Sequence, residues 1–201
     1  MVHRGLFRMD LNGGQVEEIP LPFTEDMYAS DWSRDGKYAL TQNNGGRMYA
    51  IPLSGDRKPL PLLEARRFVD QERFSPDVQW IAYNTNDSGR YEVFVMPFLH
   101  PGPTIQVSNN GGMQPRWRRD GKELFYLDYE GRIMSVAIQP GNPPTFGAPR
   151  PLFKTRLALT ASIEQYDVTA DGQRLVMLVP THDPPPATLN VALNWQNAAR
   201  R

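Results

Sequence analysis

A short motif recurs four times along this chain of 201 residues and restricts its possible folds more than any other feature. Each copy has a large apolar residue, an Asp three positions later and, in three copies, a Gly directly after the Asp; the turn aspartates are Asp35, Asp77, Asp120 and Asp171. Because Asp can accept hydrogen bonds from backbone amides and Gly readily adopts positive φ, each copy predicts two antiparallel strands joined by a tight hairpin.

Two further strands are predicted after each hairpin. The third begins with Gly-Arg and covers residues 46–51, 89–95 and 131–136, and the fourth, more polar, covers 58–63, 105–108 and 150–153. Four strands in each unit of about 42–51 residues are typical of a β-propeller blade, whereas helical repeats would show a period of 3.6. The last unit is longer because residues 139–149 and 157–162 are interpreted as insertions. A β-sandwich with accidental internal similarity is the alternative.

The two ends of the chain do not complement each other as the halves of one blade would. Residues 5–11 and 15–21 match the third and fourth strands, whereas residues 165–195 match the first three, so the third type is duplicated. The prediction is therefore an all-β fold, a β-propeller of four-stranded antiparallel blades that forms an open arc of a larger propeller. A single domain, 1–201, would hold three complete blades and two partial ones: 1–23 (partial), 27–63, 69–108, 112–153 and 163–195 (partial).

One copy of the turn departs from the pattern. Val78 stands where the other copies have Gly36, Gly121 and Gly172. A β-branched residue at positive φ is strained. Either this turn has a different shape or the fold carries roughly 1 kcal/mol of strain there.

These repeats resemble the WD40-like, TolB-type propeller repeat, whose usual core reads Ser-Pro-Asp-Gly-Lys/Arg-x-apolar-Ala-apolar. The copy that matches best is Ser75-Pro76-Asp77 with Trp80-Ile81-Ala82-Tyr83. The run from Phe74 through Phe125 is similar to the C-terminal propeller of bacterial receptor-like serine/threonine kinases. That resemblance implies a non-catalytic sensor module, which binds a protein or peptide and belongs to a longer signalling protein. The alternative is an accessory propeller that gates substrate entry in a prolyl-oligopeptidase-like serine hydrolase.

Composition excludes several classes of function. Lys and Arg number 22, as do Asp and Glu, so the basic excess of a nucleic-acid-binding protein is missing. There is no Cys for disulfides or thiolate sites. Apolar runs are too short to span a bilayer, and the N-terminus has no secretory signal. The compartment stays open: extracytoplasmic within a membrane receptor, cytoplasmic if expressed as written.

No catalytic motif is evident in the sequence. The nucleophile elbow Gly-x-Ser-x-Gly and the kinase motifs are missing, and His3, His100 and His182 are predicted to lie in loops or tails. Ligand spacings typical of zinc or calcium sites are also missing. We therefore expect no catalytic residue, no metal and no cofactor in this chain.

The candidate site is one mouth of the central channel, formed by the loops that lead into each innermost strand: residues 24–30, 64–71, 108–115 and 157–165. Loops on a rigid scaffold are where binding residues concentrate. The candidate ligand-binding residues are Asp26, Tyr28, Arg67, Asp70, Asn109, Gln114, Arg116 and Glu164. A structural role in the turns is assigned to Asp35, Gly36, Asp77, Asp120, Gly121, Asp171 and Gly172. An open arc would also leave apolar blade faces bare at its ends, which predicts self-association.

Overall fold

The computed structural model describes residues 6–23, 26–43, 45–64, 68–141, 143–161 and 163–179. These residues form strands and turns, and none of them lies in a helix capable of crossing a membrane. The strands, in chain order, are β1 (Leu6–Arg8), β2 (Glu17–Ile19), β3 (Met27–Trp32), β4 (Tyr38–Asn43), β5 (Arg47–Pro52), β6 (Leu60–Glu64), β7 (Val69–Phe74), β8 (Trp80–Thr85), β9 (Glu92–Pro97), β10 (Ile105–Gln106), β11 (Met113–Trp117), β12 (Glu123–Leu127), β13 (Arg132–Gln139), β14 (Thr145–Phe146), β15 (Arg150–Lys154), β16 (Tyr166–Val168) and β17 (Leu175–Met177).

The strands are grouped into antiparallel sheets that follow the predicted repeat. Strands β3 to β6 and β7 to β10 form two four-stranded sheets, and β1–β2 and β16–β17 form two-stranded sheets at the ends. The third large sheet has five strands, since β13 pairs with β15 along one part and with the short β14 near its end. The stretch 139–149, predicted to be an insertion, therefore contains the short strand β14. The predicted arrangement of three large sheets between two partial ones is confirmed.

Successive sheets stack side by side, each burying its apolar faces against its neighbours. Because side chains alternate across a strand, Ala39 of β4 packs toward the N-terminal sheet whereas Leu40 packs toward the second large sheet. Val93 and Leu124 belong to the next cluster, between the second and third large sheets, and Leu127 packs against the last sheet. The innermost strands β3, β7, β11 and β16 contact one another in that order. This arrangement confirms the open propeller and excludes two facing layers.

All four hairpin turns share the same backbone geometry. Each turn aspartate accepts a hydrogen bond, at 3.0 or 3.1 Å, from the backbone N–H two residues further on. In three copies a hydroxyl two residues before the Asp donates to that carboxylate; the donors are Ser33, Ser75 and Thr169. In the third large sheet Arg118 takes this place and pairs with Asp120 and Glu123. The turn aspartate therefore closes each hairpin through local contacts.

Val78 adopts the same turn as the glycines, at φ 59 beside 73 for Gly121, and its N–H donates to the Ser75 carbonyl at 2.9 Å. The strained alternative is therefore the one observed. We expect Val78→Gly to leave the melting temperature unchanged or to raise it, because relief of the strain offsets the lost packing of the valine against the cluster that contains Leu40. Thermal unfolding followed by circular dichroism measures this.

The reverse exchange, Gly121→Val, is the matched control. A Cβ on Gly121 would have its nearest neighbour, Pro76 Cδ, at 3.9 Å, so steric space is not limiting there. We expect a loss of about 1–2 kcal/mol in the free energy of unfolding, because the left-handed conformation disfavours a β-branched residue. A clear drop in melting temperature for Val78→Gly would contradict this account of strain.

Apolar side chains are exposed on both end sheets. Around the N-terminal sheet they are Phe7, Met9, Leu11 and Val16, and around the C-terminal sheet Ile163, Val176 and Leu178. An interior sheet would cover such positions with its neighbour, so their exposure agrees with an arc that is open within the described ranges. Self-association through these faces stays a prediction.

Candidate functional site

A cavity of about 430 Å³ lies at the turn-proximal ends of the innermost strands, and we call it the channel cavity. Four segments contribute its walls, one from each innermost strand and the turn that follows: Asp31–Arg34, Arg73–Pro76, Arg116–Arg119 and Asp167–Ala170. This volume lies within the range typical of ligand pockets, roughly 300–1,000 Å³. The repeat geometry creates the cavity, because each blade brings the end of its first strand to the same axis.

The channel cavity is lined by a row of charges at one equivalent position of the repeat. This position stands four residues before the turn aspartate and holds Asp31, Arg73, Arg116 and Asp167 in successive sheets. The two cations are therefore neighbours, and a carboxylate flanks them on each side. Arg34 and Arg119 add two exposed guanidinium groups at the rim.

Arg73 and Arg116 are both largely buried, with 13% and 6% of their side chains exposed. Glu164 pairs with both: one of its carboxylate oxygens contacts Arg73, and the other lies 3.3 Å from Nη2 of Arg116. Arg116 also contacts the Pro115 carbonyl at 2.8 Å, the Asp167 carboxylate, 3.9 Å from its Nε, and the Tyr166 ring, 5.6 Å from its Cζ. Burial and the neighbouring Arg73 lower the pKa of Arg116. The pair is thus a crowded cationic site, bridged by the Glu164 carboxylate and flanked by the carboxylate of Asp167.

Asp31 links two blades at the edge of this row. Its carboxylate accepts hydrogen bonds from the Trp32 and Phe74 amides, each at 2.8 Å. Burial raises the pKa of Asp31, although those amides, Arg73 and Arg116 favour the charged form. Asp31 therefore connects β3 to β7 while facing the channel cavity.

Aromatic side chains complete the walls. Trp32 is 49% exposed, which leaves a large apolar face open to a ligand. Trp117 is partly buried and donates a hydrogen bond from its indole N–H to the Arg73 carbonyl, at 3.1 Å. At the rim, the guanidinium of Arg34 reaches the Arg119 carbonyl at 3.5 Å. The channel cavity thus combines exposed indole surface with arginine, the residue types that dominate binding energy at protein interfaces.

Three of the residues predicted to bind a ligand lie together. Glu164 bridges the arginines, Arg116 is one of them, and Gln114 is fully buried beside them. The Gln114 amide donates to the Thr160 carbonyl at 2.8 Å and accepts from the Gln165 backbone N–H at 3.0 Å, which ties β11 to the last sheet. Gln114 therefore fixes how β11 packs against the last sheet, two residues before Arg116.

The other predicted residues are dispersed. Asp26 is exposed before β3 and Tyr28 is partly buried within it, while Arg67 lies outside the described residues. Asn109 accepts a hydrogen bond from Arg90 through its carbonyl, beside a peripheral groove between Ile105–Asn109 and Pro144–Pro149. The predicted loops precede the innermost strands, whereas the channel cavity lies where those strands lead into their turns; Arg116 and Glu164 connect the two regions.

Asp70 and Glu72 form an acidic pair on β7. The Asp70 carboxylate lies 3.4 Å from the Tyr91 hydroxyl, and burial raises its pKa to about 6. Glu72 is fully buried, and neither oxygen has a hydrogen-bond partner of normal geometry among the described residues, although the Ser30 hydroxyl is near. Burial raises the pKa of Glu72 to about 7.

Sequence reasoning missed Asp31, Arg73, Asp167 and Trp32. The signal was present, because all four stand at fixed offsets from the turn aspartate of their own repeat. The inner strands β3, β7 and β11 each contain a bulge, seen as a register shift between Ala29 and Asp31 in β3 and at corresponding places in the others. An extra residue changes which side chains face the axis, and the sequence prediction looked for the site in the loops before the innermost strands instead of at these strand positions.

Groups able to catalyse a reaction are sparse in this site. Within the described ranges, no cluster of three or more His, Cys, Asp or Glu side chains is arranged to hold a metal ion. The His100 ring contacts the Gln79 carbonyl at 2.9 Å and packs edge-on against Trp80, away from the residues that line the channel cavity. The arrangement of the channel cavity suits binding of an anionic and partly apolar group.

Comparison with known proteins agrees with this fold. No protein-family model matches the sequence. A curated relative, an uncharacterized protein of Agrobacterium fabrum, is 25% identical over 111 residues, which make up 54% of this chain and 38% of that protein. TolB from Acinetobacter baumannii has a similar structure with a TM-score of 0.65 at 18% identity, covering 91% of this chain and 44% of that one.

Two further solved structures have the same kind of likeness. A protein of Agrobacterium tumefaciens provisionally named TolB has a TM-score of 0.57 at 16% identity, covering 75% of this chain and 57% of that one. A Bacteroides uniformis protein provisionally named 6-phosphogluconolactonase has a TM-score of 0.53 at 18% identity, covering 87% and 57%. The chain spans less than two thirds of the length of each protein it matches. At these identities the likeness concerns the fold, and this chain has the fold of an open section of a TolB-type β-propeller.

Proposed function

We propose that this chain is a non-catalytic binding module that recognises a peptide or an exposed protein segment in the channel cavity. The observation that carries the proposal is the coincidence of a half-exposed Trp32 with four arginines around one cavity. Trp and Arg offer large contact areas and several hydrogen-bond donors, so a few such residues can provide most of the affinity of an interface. We further propose that the chain is the sensor of a longer signalling protein, which is what the resemblance of residues 74–125 to the propellers of receptor-like kinases implies.

The wall of the cavity is rigid enough for such recognition. Beside the cavity, Trp117 donates to the Arg73 carbonyl and Asp31 accepts from the Phe74 amide; Gln114, further along β11, accepts from the Gln165 amide, so each sheet is tied to its neighbour. A preorganised surface loses little conformational entropy when it binds. An extended peptide that inserts one or two side chains matches the size of the channel cavity.

Binding to an immobilised library of peptides of about twelve residues tests the proposal. We expect Trp32→Ala to lose at least about tenfold in affinity for the peptides that the unmodified chain selects, because the indole is the largest exposed apolar surface of the cavity. Phe153→Ala is the matched control, since Phe153 is 42% exposed on the outermost strand of the third large sheet. Equal losses in the two variants, or selection of no peptide, would contradict the proposed site.

A further inference from the structure

We infer that Arg73 and Arg116 form a receptor for a carboxylate of the bound peptide, and that Glu164 occupies this receptor in the unliganded chain. The inference rests on the proposed function and specifies the chemistry of its ligand. Its basis is the bridging contact of Glu164, which gives one oxygen to each guanidinium. A ligand carboxylate could make the same two contacts.

The guanidinium groups are held in place independently of Glu164. Nη1 of Arg73 donates to the Ser30 and Glu72 carbonyls, and Nη1 of Arg116 donates to the Pro115 carbonyl. The Tyr166 ring lies against Arg116 on another side. The Nη2 atoms are the ones that face Glu164, so the receptor would keep its geometry when that side chain leaves.

Glu164 has the features of a replaceable occupant. Its side chain is 52% exposed, and it precedes β16 in the short sheet at the end of the described arc. The two arginines, by contrast, are almost fully buried and their positive charges repel each other, as the lowered pKa of Arg116 reflects. Two neighbouring buried cations need an anion between them, and a ligand carboxylate meets that need as well as Glu164 does.

The surroundings favour an anion that enters through the channel cavity. Arg73 and Arg116 line the cavity, and Arg34 and Arg119 at the rim bring the arginines to four, against the aspartates Asp31 and Asp167. A carboxylate approaching past the rim would be attracted before it reaches the buried pair. Two sources have this chemistry: an acidic side chain and the C-terminal carboxylate of a peptide.

Three fluorescein-labelled heptapeptides of Gly, Ser and Trp distinguish these sources. The first has one Glu and an amidated C-terminus, the second has no Glu and a free C-terminal carboxylate, and the third has neither. Fluorescence anisotropy at an ionic strength of about 0.15 M, where long-range attraction is screened, measures their affinities. We expect the first or second peptide to bind at least about tenfold more tightly than the third, because charge-assisted bidentate hydrogen bonds are strong.

Variants of the receptor identify the residues responsible. Arg73→Lys and Arg116→Lys keep the charge but lose the planar pair of donors, so each should weaken the carboxylate peptides about tenfold and leave the third unchanged. Glu164→Gln should strengthen the carboxylate peptides severalfold, because it removes the competing anion. Glu130→Gln is the matched control. Glu130 is 59% exposed and pairs with Arg132 outside the cavity, so this variant should bind all three peptides as the unmodified chain does.

Each outcome decides between the inference and the proposed function. Equal affinity of the three peptides, or weaker carboxylate binding by Glu164→Gln, would overturn the receptor while leaving peptide binding intact. The same holds if none of the three binds but the library does select peptides through Trp32. Failure of the library as well would overturn the proposed function itself. Melting temperatures of the lysine variants show whether a lost affinity reflects a lost fold.

Discussion

Glu72→Gln is expected to stabilise the fold at pH 8 by on the order of 3 kcal/mol and to change its stability little at pH 4. The reason is that burial raises the pKa of Glu72 to about 7 from an ordinary value of 4.5. Below pH 4.5 the Glu72 carboxyl is protonated in the folded and in the unfolded chain, so its ionisation does not change the free energy of unfolding. As the pH rises to 7, the unfolded chain releases the proton while the folded chain retains it, and the fold loses stability.

Two charged neighbours act on Glu72 as well. Asp70 raises its pKa and Arg73 lowers it, but desolvation is the largest influence. Burial raises the pKa of Asp70 to about 6, so Asp70 also lowers the stability of the fold as the pH rises, over a lower pH range than Glu72 does. Glu72→Gln should therefore flatten the fall in stability between pH 4.5 and 7 without abolishing it, and Asp70→Asn should remove most of the rest.

Urea unfolding measured at several pH values between 4 and 8 tests this expectation. Gln has the shape of Glu without the charge, so packing changes little and the pH dependence reports the carboxyl. If Glu72→Gln showed the same fall in unfolding free energy with pH as the unmodified chain, Glu72 would not be the group that binds the proton.

Gln114→Ala is expected to lower the free energy of unfolding by about 2–4 kcal/mol. The substitution removes the hydrogen bond to the Thr160 carbonyl and leaves the buried Gln165 N–H without the acceptor it has in Gln114. It also opens a cavity where a fully buried side chain stood. Because these contacts join β11 to the last sheet, the C-terminal partial blade should separate first.

Gln71→Ala is the control for this substitution. Gln71 occupies the equivalent bulge in the preceding blade, with φ 61 beside 57 for Gln114, and it is also buried. The side-chain oxygen of Gln71, however, has no hydrogen-bond partner in the described part of the chain. Both variants therefore replace a buried glutamine at positive φ, and any effect of that backbone conformation is common to them. Because Gln71 has no such acceptor role to lose, its replacement should lower the free energy of unfolding by less. Similar losses in urea unfolding would mean that the inter-blade hydrogen bonds of Gln114 contribute little.

These glutamines also illustrate why the site was harder to predict than the fold. Gln114 was chosen from the sequence as a residue of an exposed loop, yet it begins the bulge of β11 and is completely buried. Glu164 was chosen for the same reason, and Arg116 was chosen directly after the loop that holds Gln114; the two are paired with each other. Asn109, by contrast, lies beside a peripheral groove, because the loop that contains it begins at the outer strand of one blade.

The sequence alone determined the hairpins, the repeat and the open arc of antiparallel sheets. Each depends on local chemistry: the Asp-Gly turn is closed by hydrogen bonds between residues no more than five positions apart, and strand alternation has a period of two. The tertiary structure decided which charges meet. Arg73 and Glu164 are 91 positions apart and become partners because the blades stack around one axis, while the bulges select the side chains that face it. The burial that raises the pKa of Glu72 likewise arises from packing between blades, which no local pattern contains.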